Sequence, residues 1–283
     1  MINQTVLMSG VDYFSVEELN PYSDRTNQPD KMKAAEEFLS IQTALQKSGV
    51  TVIKVDSPAG CQDGIYTANW GVCRGDKAVL SSLPNMRAGE EIYAREALEA
   101  EGFEVIPAPY LFSGQGDALP CGNLLFAGQT YRTDARMHKF LADELGFEVI
   151  SLEAAPEVDD NGKTVINKVT GLPNSYFYDI DLAIAILTPE LIAWCPEAFT
   201  PESQAKMRAL RQVEKIEVSL EEALDGFACN LISTGETVIM SNHAPELQEA
   251  IEAHGLETIT PEITELAKGG GYIRCTTLTL SNS

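Results

Sequence analysis

Leu98-Glu99-Ala100-Glu101-Gly102-Phe103-Glu104-Val105-Ile106-Pro107 is the stretch that decides the fold. Helix-forming residues run up to a glycine, and a short β-branched segment follows at once. Glycine at that point supplies the left-handed backbone that ends a helix. The Val-Ile pair after it, with polar neighbours, reads as a buried strand. The same passage recurs around Gly49 (Leu45–Lys54), Gly146 (Asp143–Ser151) and Gly255 (Ile251–Thr260), and a weaker copy without the glycine spans Val213–Ser219. About five units of roughly 55 residues follow from this spacing, the mark of a repeat architecture.

A polar loop and a hairpin complete each unit. The first pair is Asp63–Asn69, then Gly75-Asp76 as a turn before Lys77–Ser81. The second is Gly116-Asp117, then Gly122-Asn123 before Leu124–Ala127. The third is Tyr178–Asp181, then Leu182–Leu187. The fourth is Cys229-Asn230, then Thr234-Gly235-Glu236 before Thr237–Met240. The fifth is a strand over 273–280, reached through Gly269-Gly270-Gly271 and pairing with Thr5–Met8. Gly-Asp and Gly-Asn are hairpin turn chemistry. The reading is α/β: a single domain over 1–283, a five-bladed propeller of ββαβ-type repeats. Closing five such units on themselves brings one polar strand end from each to a common centre. Asn69, Asp117, Asp179 with Asp181, Asn230 and Cys275 hold equivalent places. Each taken singly is ordinary for a turn or cap; as a set at one phase of a repeat they describe a shared site.

Alternation places Cys275 at the mouth of its strand, on the polar side, after a flexible glycine approach. A thiol there is positioned as a nucleophile; its ordinary alternative is a half-buried structural cysteine. The six cysteines are scattered, with no CxxC pair, and read as reduced thiols of a cytoplasmic protein. The N-terminus has neither basic region nor apolar stretch of an export signal, and no run is long enough to span a membrane. A net charge of −22 argues against nucleic acid and anionic membrane surfaces. It favours a small cationic ligand. Three histidines without metal-ligand spacing, and no phosphate or dinucleotide loop, predict neither metal nor cofactor. A homodimer is compatible with the chain, which says little about assembly.

The chain resembles the pentein superfamily of guanidine-modifying enzymes over residues 3–281. The motifs that carry the likeness are Asp63-Gly-Ile-Tyr-Thr-Ala-Asn69-Trp-Gly, Gly114-Gln-Gly-Asp117, Gly128-Gln-Thr-Tyr-Arg132-Thr-Asp, Phe177-Tyr-Asp179-Ile-Asp181, Cys229-Asn230 and Gly270-Gly271 before Cys275. The resemblance implies a five-bladed propeller and hydrolysis of a guanidino C–N bond through a covalent cysteine adduct. Arginine deiminases, dimethylarginine dimethylaminohydrolases and amidinotransferases share the covalent cysteine adduct, which water resolves in a hydrolase and another amine in an amidinotransferase, the alternative activity the resemblance leaves open. It implies Cys275 as nucleophile, with Asp117 and Asp181 clamping the guanidinium beside Asn69. Arg132 would meet a substrate carboxylate, Asp63 an amino group, and Asn230 would line the site. Two positions depart from the pattern. Asp179 stands where the family has its acid/base histidine, and Ser113 or Gly114 where it has a glutamate. Three readings stay open: a hydrolase using Asp179 as acid/base, a binder of a cationic guanidino ligand, and a structural remnant. On a strand, Asp179 and Asp181 would share a face with Cα atoms about 7 Å apart, close enough for one charge to raise the other's pKa.

Overall fold

The computed structural model describes residues 1–17 and 20–281. Its strands form five separate three-stranded sheets, one per repeat. In the first complete unit β3 (Gly71–Arg74) and β4 (Lys77–Leu80) form an antiparallel hairpin, and β5 (Glu104–Pro107) joins β4 in parallel. Between β4 and β5 lies α2 (Glu91–Ala100), because a parallel partner needs a crossover. The second unit repeats this with β6 (Ala118–Cys121), β7 (Leu124–Gln129), α3 (Arg136–Leu145) and β8 (Glu148–Glu153). The third uses β9 (Ile184–Thr188), β10 (Leu191–Trp194), α4 (Pro201–Ala209) and β11 (Glu214–Glu217). After the short α5 (Leu220–Asp225), the fourth is β12 (Ile232–Ser233), β13 (Thr237–Ile239), α6 (Pro245–Ala253) and β14 (Glu257–Ile259). The chain ends close the ring. The last strand, β15 (Leu278–Ser281), pairs antiparallel with β1 (Thr5–Met8), and β2 (Thr51–Lys54) adds in parallel after α1 (Lys31–Lys47).

Local sequence explains the helices. The α1 N-terminus is capped by Asp30, whose carboxylate accepts from the amides of Met32 and Lys33. Thr200 caps α4 in the same way, with Pro201 as its first residue. The four glycines that signalled helix ends, Gly49, Gly102, Gly146 and Gly255, all take φ between 68° and 88°. On α3, Met137, Leu141 and Leu145 lie four apart and are buried against the second sheet. The copy without glycine ends α4 at Leu210 in extended backbone instead. Among the described residues no helix is long and apolar enough to cross a membrane.

Just before each inner strand the chain makes a tight turn, and these five turns form a hydrogen-bonded ring. Asn69 Nδ2 donates to the Ser113 carbonyl at 3.0 Å, and the Ile180 amide donates to Asp117 Oδ1 at 3.0 Å. Asn230 Nδ2 donates to the Asp181 carbonyl at 3.4 Å, the Arg274 amide to the Asn230 carbonyl at 3.2 Å, and the Ala68 amide to the Cys275 carbonyl at 3.1 Å. The strand expected over 273–280 therefore starts later. Residues 273–276 are a turn, because the Asn230 side chain takes the Cys275 amide at 3.1 Å and removes it from any ladder.

Candidate active site

Cys275 sits in the fifth turn, 2 % exposed, with both Asn230 and Asp181 on its sulfur. Asn230 Nδ2 donates to Sγ at 3.1 Å, and the thiol faces Asp181 Oδ2 at 3.4 Å. The Asn230 side chain does two jobs, since its Oδ1 also accepts from the amides of Tyr272 and Cys275, both at 3.1 Å. The glycine run before it is required by packing. A Cβ on Gly271 would stand 2.6 Å from the Tyr66 ring and 2.9 Å from Cys275 Cβ. The Tyr66 ring lies over this turn, with Phe14 edge-on to it at 5.9 Å between centroids.

Asp179 and Asp181 do not alternate along one strand face. Asp179 is extended and precedes a 3-10 turn over Ile180–Leu182 that contains Asp181. Their carboxylates accordingly meet different neighbours. Asp179 accepts from Ser113 Oγ at 2.7 Å, Asn69 Nδ2 at 2.8 Å and Arg132 Nη1 at 3.4 Å. Arg132 also stacks on the Tyr178 ring, 4.2 Å from its centroid. Asp181 reaches the cysteine with one oxygen, while its Oδ1 is buried without a hydrogen-bond partner among the described residues. A wholly buried, unmatched carboxylate oxygen beside a thiol is an acceptor waiting for a donor. Asp117 is turned to the scaffold: its oxygens accept from the Ile180 amide and, at 2.8 Å, from Thr130 Oγ1. It holds the turn that carries Asp179 and Asp181.

Asp63 lies at the outer end of this cluster, within a second network that the sequence reading missed. Arg87 Nε donates to Glu90 Oε1 at 2.8 Å and Nη2 to Oε2 at 2.9 Å, a bidentate pair. Arg87 Nη1 also donates to Asn69 Oδ1 at 2.7 Å, and its Nε is 3.9 Å from Asp63 Oδ2. Trp70 Nε1 donates to Glu90 at 3.0 Å. Arg87 thus fixes which way the Asn69 amide points, with its NH2 toward Asp179. A readable sign existed in the i,i+3 spacing of Arg87 and Glu90, but the same spacing marks many solvated turns. Beneath the cysteine, Arg274 is buried and donates to Gln115 Oε1 at 2.7 Å and Thr279 Oγ1 at 3.0 Å.

Burial dominates the electrostatics. It pushes Asp63 up to about 6, with Arg87 opposing and Glu90 assisting. Burial and the Asp179 charge bring Asp117 up to about 7. Asp181 is held well above the usual carboxylate range by burial and then by Asp179, with Arg274 working against both. The Cys275 thiol is held up by burial and then by Asp181 and Asp179.

None of the three histidines reaches this cluster. His138 accepts from or donates to Ser151 Oγ at 2.6 Å and meets the Gly128 carbonyl at 2.9 Å, behind the second sheet. A carbonyl can only accept, so Nε2 carries a proton, and burial lowers the His138 pKa. His243 is exposed, and His254 lies on the Ala250 carbonyl near Glu214.

The model of the family described as N,N dimethylarginine dimethylhydrolase, eukaryotic, matches residues 15–281. The chain belongs to this family. It is 30 % identical over 262 residues to N(G),N(G)-dimethylarginine dimethylaminohydrolase of Mycobacterium tuberculosis, covering 92 % of this chain and 80 % of that one. It is 29 % identical to the bifunctional arginine dihydrolase/ornithine cyclodeaminase AgrE of Nostoc sp., covering 96 % of this chain and only 37 % of that protein. Among solved structures, the N-terminal domain of ArgZ, an arginine dihydrolase from cyanobacteria, superposes with a TM-score of 0.85 at 28 % identity, over 98 % of both chains. The same domain has been seen covalently bound to a reaction intermediate. The five-bladed pentein fold of this family is the fold described above.

Proposed function

We propose that this protein hydrolyses a C–N bond of a guanidino compound through a covalent intermediate on Cys275. The observation that carries the reading is the contact of the Cys275 thiol with Asp181, a carboxyl with one oxygen buried and unmatched. A guanidinium is a planar cation with N–H groups to offer, and Asp181 Oδ1 is a place to receive one. Its charge answers the acidic surroundings. At about 4 Å and an effective dielectric of about 20, a unit charge contributes roughly 4 kcal/mol, or about three pKa units. A guanidinium in contact with them therefore favours the ionised forms of both the thiol and the Asp181 carboxyl. The substrate thus assists its own activation, and reaching the sulfur requires the Tyr66 and Phe14 cover to part.

The proposed roles follow. Cys275 Sγ bonds to the guanidinium carbon as its proton passes to Asp181. Asp181 returns that proton to the departing nitrogen, the C–N bond breaks, and a thiouronium remains on the sulfur. Water attacks its carbon, the C–S bond breaks, and a urea-type product leaves while the released amine takes up the surplus proton. Asp181 replaces Asp179 as the acid/base in this scheme because it alone of the two contacts the sulfur. Asp179, held by Ser113, Asn69 and Arg132, serves as fixed negative charge for the cation. Asn230 orients the thiol, Asp117 holds the turn, and Asp63 faces the outer end of the substrate.

A second reading, a binder that does not turn its ligand over, is favoured by one observation: an aspartate already engaged by three donors occupies the family's histidine place. Release of ammonia or amine from a panel of guanidino compounds separates the two. Turnover that Cys275→Ser abolishes and Asp181→Asn reduces at least a hundredfold supports the hydrolase. Binding without release by the wild-type protein, from pH 5 to 9, supports the binder.

A further inference from the structure

Resting on the reading of Cys275 as nucleophile, we infer that Arg274 is a positioning residue of the reaction, a fixed cation clasped beneath the cysteine turn to hold the one negative charge that Cys275 and Asp181 share. Arg274 and Cys275 are neighbours in the fifth turn, where the Thr277 amide donates to the Arg274 carbonyl at 3.1 Å. The Arg274 side chain folds back under the same turn. Its Nη1 donates to the Thr277 carbonyl at 3.4 Å and to Thr279 Oγ1 at 3.0 Å, and its Nη2 donates to Gln115 Oε1 at 2.7 Å. Gln115 is fully buried and is itself held at both ends. Its Oε1 also accepts from the Thr279 amide and its Nε2 donates to the Thr279 carbonyl, each at 2.8 Å. The guanidinium is thus anchored from two of the five turns.

Every acceptor on it is neutral. Buried charges are normally paired. Arg274 is 6 % exposed, yet it forms no ion pair with a carboxylate among the described residues. The small cavity that it borders, lined by Ile2, Leu119, Ile184 and Leu231 among others, brings no acid to it. Its charge is left for the groups of the site. Those that face the sulfur are Asp181 and Asp179 from the third unit, with the phenols of Tyr66, Tyr178 and Tyr22. Burial keeps the phenols protonated, and the two acids oppose ionisation of the thiol. Arg274 acts the other way: burial pulls its own pKa down, while Asp181 and Cys275 pull it back up. In the proposed step a proton passes from the Cys275 thiol to Asp181. The pair carries one negative charge before and after, first on the carboxylate and then on the sulfur. A cation fixed beneath both stabilises that charge in either place without moving.

The test labels Cys275 with iodoacetamide from pH 6 to 10, read by peptide mass spectrometry, in the wild type, Arg274→Gln and Arg274→Lys. Loss of the charge should move the midpoint of the pH–rate profile up by about one unit or more in Arg274→Gln. Arg274→Lys, which keeps the charge, should return it most of the way to the wild-type value. A purely structural role would lower the melting temperature of both variants and leave both midpoints in place. In turnover, Arg274→Gln should lower kcat about tenfold or more with KM unchanged or smaller, because one cation fewer repels the guanidinium. If Arg274→Gln does not fold, Gln115→Glu sets a carboxylate against the same guanidinium and should raise the midpoint likewise. A midpoint unmoved or lowered by loss of the charge, or moved equally by Gln and Lys, overturns the inference. A midpoint that shifts as expected in a protein that releases neither ammonia nor amine upholds it while overturning the hydrolase. Turnover with a midpoint that Arg274→Gln leaves in place does the reverse.

Discussion

Replacing Asp117 with Asn should change how the stability of this protein depends on pH, by an amount that its surroundings set. The side chain is fully buried and its pKa is raised to about 7 from 3.8, chiefly by burial and next by the Asp179 charge. The folded protein holds this proton more tightly than the unfolded chain does. The stabilisation is therefore complete below the unfolded value and is lost as pH rises through about 7. Between pH 8 and pH 5 the difference amounts to about 3 kcal/mol, and Asp63, raised to about 6, adds about 1 kcal/mol in the same direction. With about 2 °C per kcal/mol in a chain of this size, Asp117 contributes about 6 °C to a melting temperature that rises on acidification. Asparagine keeps an acceptor for the Ile180 amide but has no proton to titrate. Differential scanning fluorimetry of both proteins from pH 8 to 5 reads the effect, and carboxylates elsewhere cancel in the comparison. The variant should lose most of that 6 °C rise. Parallel profiles for the two proteins would refute the reasoning.

Two glycines with different surroundings should respond differently to alanine. A Cβ on Gly116 would lie 2.4 Å from Asn69 Nδ2 and 2.8 Å from Asp179, both tethered, so Gly116→Ala should cost about 1–3 kcal/mol and displace Asp179. Gly122, with φ of 58° and nothing within 4 Å, should cost only about 1–2 kcal/mol for the left-handed backbone and leave ligand binding intact; denaturant melts and calorimetry distinguish the pair. Asp179→Asn removes a charge that holds the thiol up, so the Cys275 pKa should fall and its alkylation by iodoacetamide should speed up at pH 8. A pH–rate profile unmoved or shifted upward would show that Asp179 does not act on the sulfur through its charge.

The five-unit plan was legible because its signals are local. A glycine that must end a helix, a Gly-Asp or Gly-Asn turn, and a Val-Ile strand are each set within ten residues, and repetition makes them reinforce one another. The meeting of Asn69, Asp179, Asp181, Asn230 and Cys275 was legible for the same reason, since equivalent turns occupy equivalent places. What escaped was whatever a distant side chain decides. The Asn230 carboxamide, 45 residues away, takes the Cys275 amide and converts the start of an expected strand into a turn. The Asp117 carboxylate takes the Ile180 amide and winds the segment that alternation had assigned to a strand, so Asp179 and Asp181 part. Arg87 and Glu90 look like a surface ion pair until the fold lays them against Trp70 and Asn69. Nor does the sequence show that the Ser113 hydroxyl would donate to Asp179.

The central claim is that the Cys275 sulfur becomes bonded to the guanidinium carbon. Acid quenching of the wild-type protein within milliseconds to minutes of mixing with each guanidino compound, followed by intact-mass and peptide mass spectrometry, tests it directly. The account predicts a mass increase equal to the substrate cation less the departing amine, located on Cys275, absent from Cys275→Ser and decaying as product forms. Guanidino compounds that bind and even turn over while Cys275 stays unmodified at every time, with Cys275→Ser as active as the wild type, would contradict it.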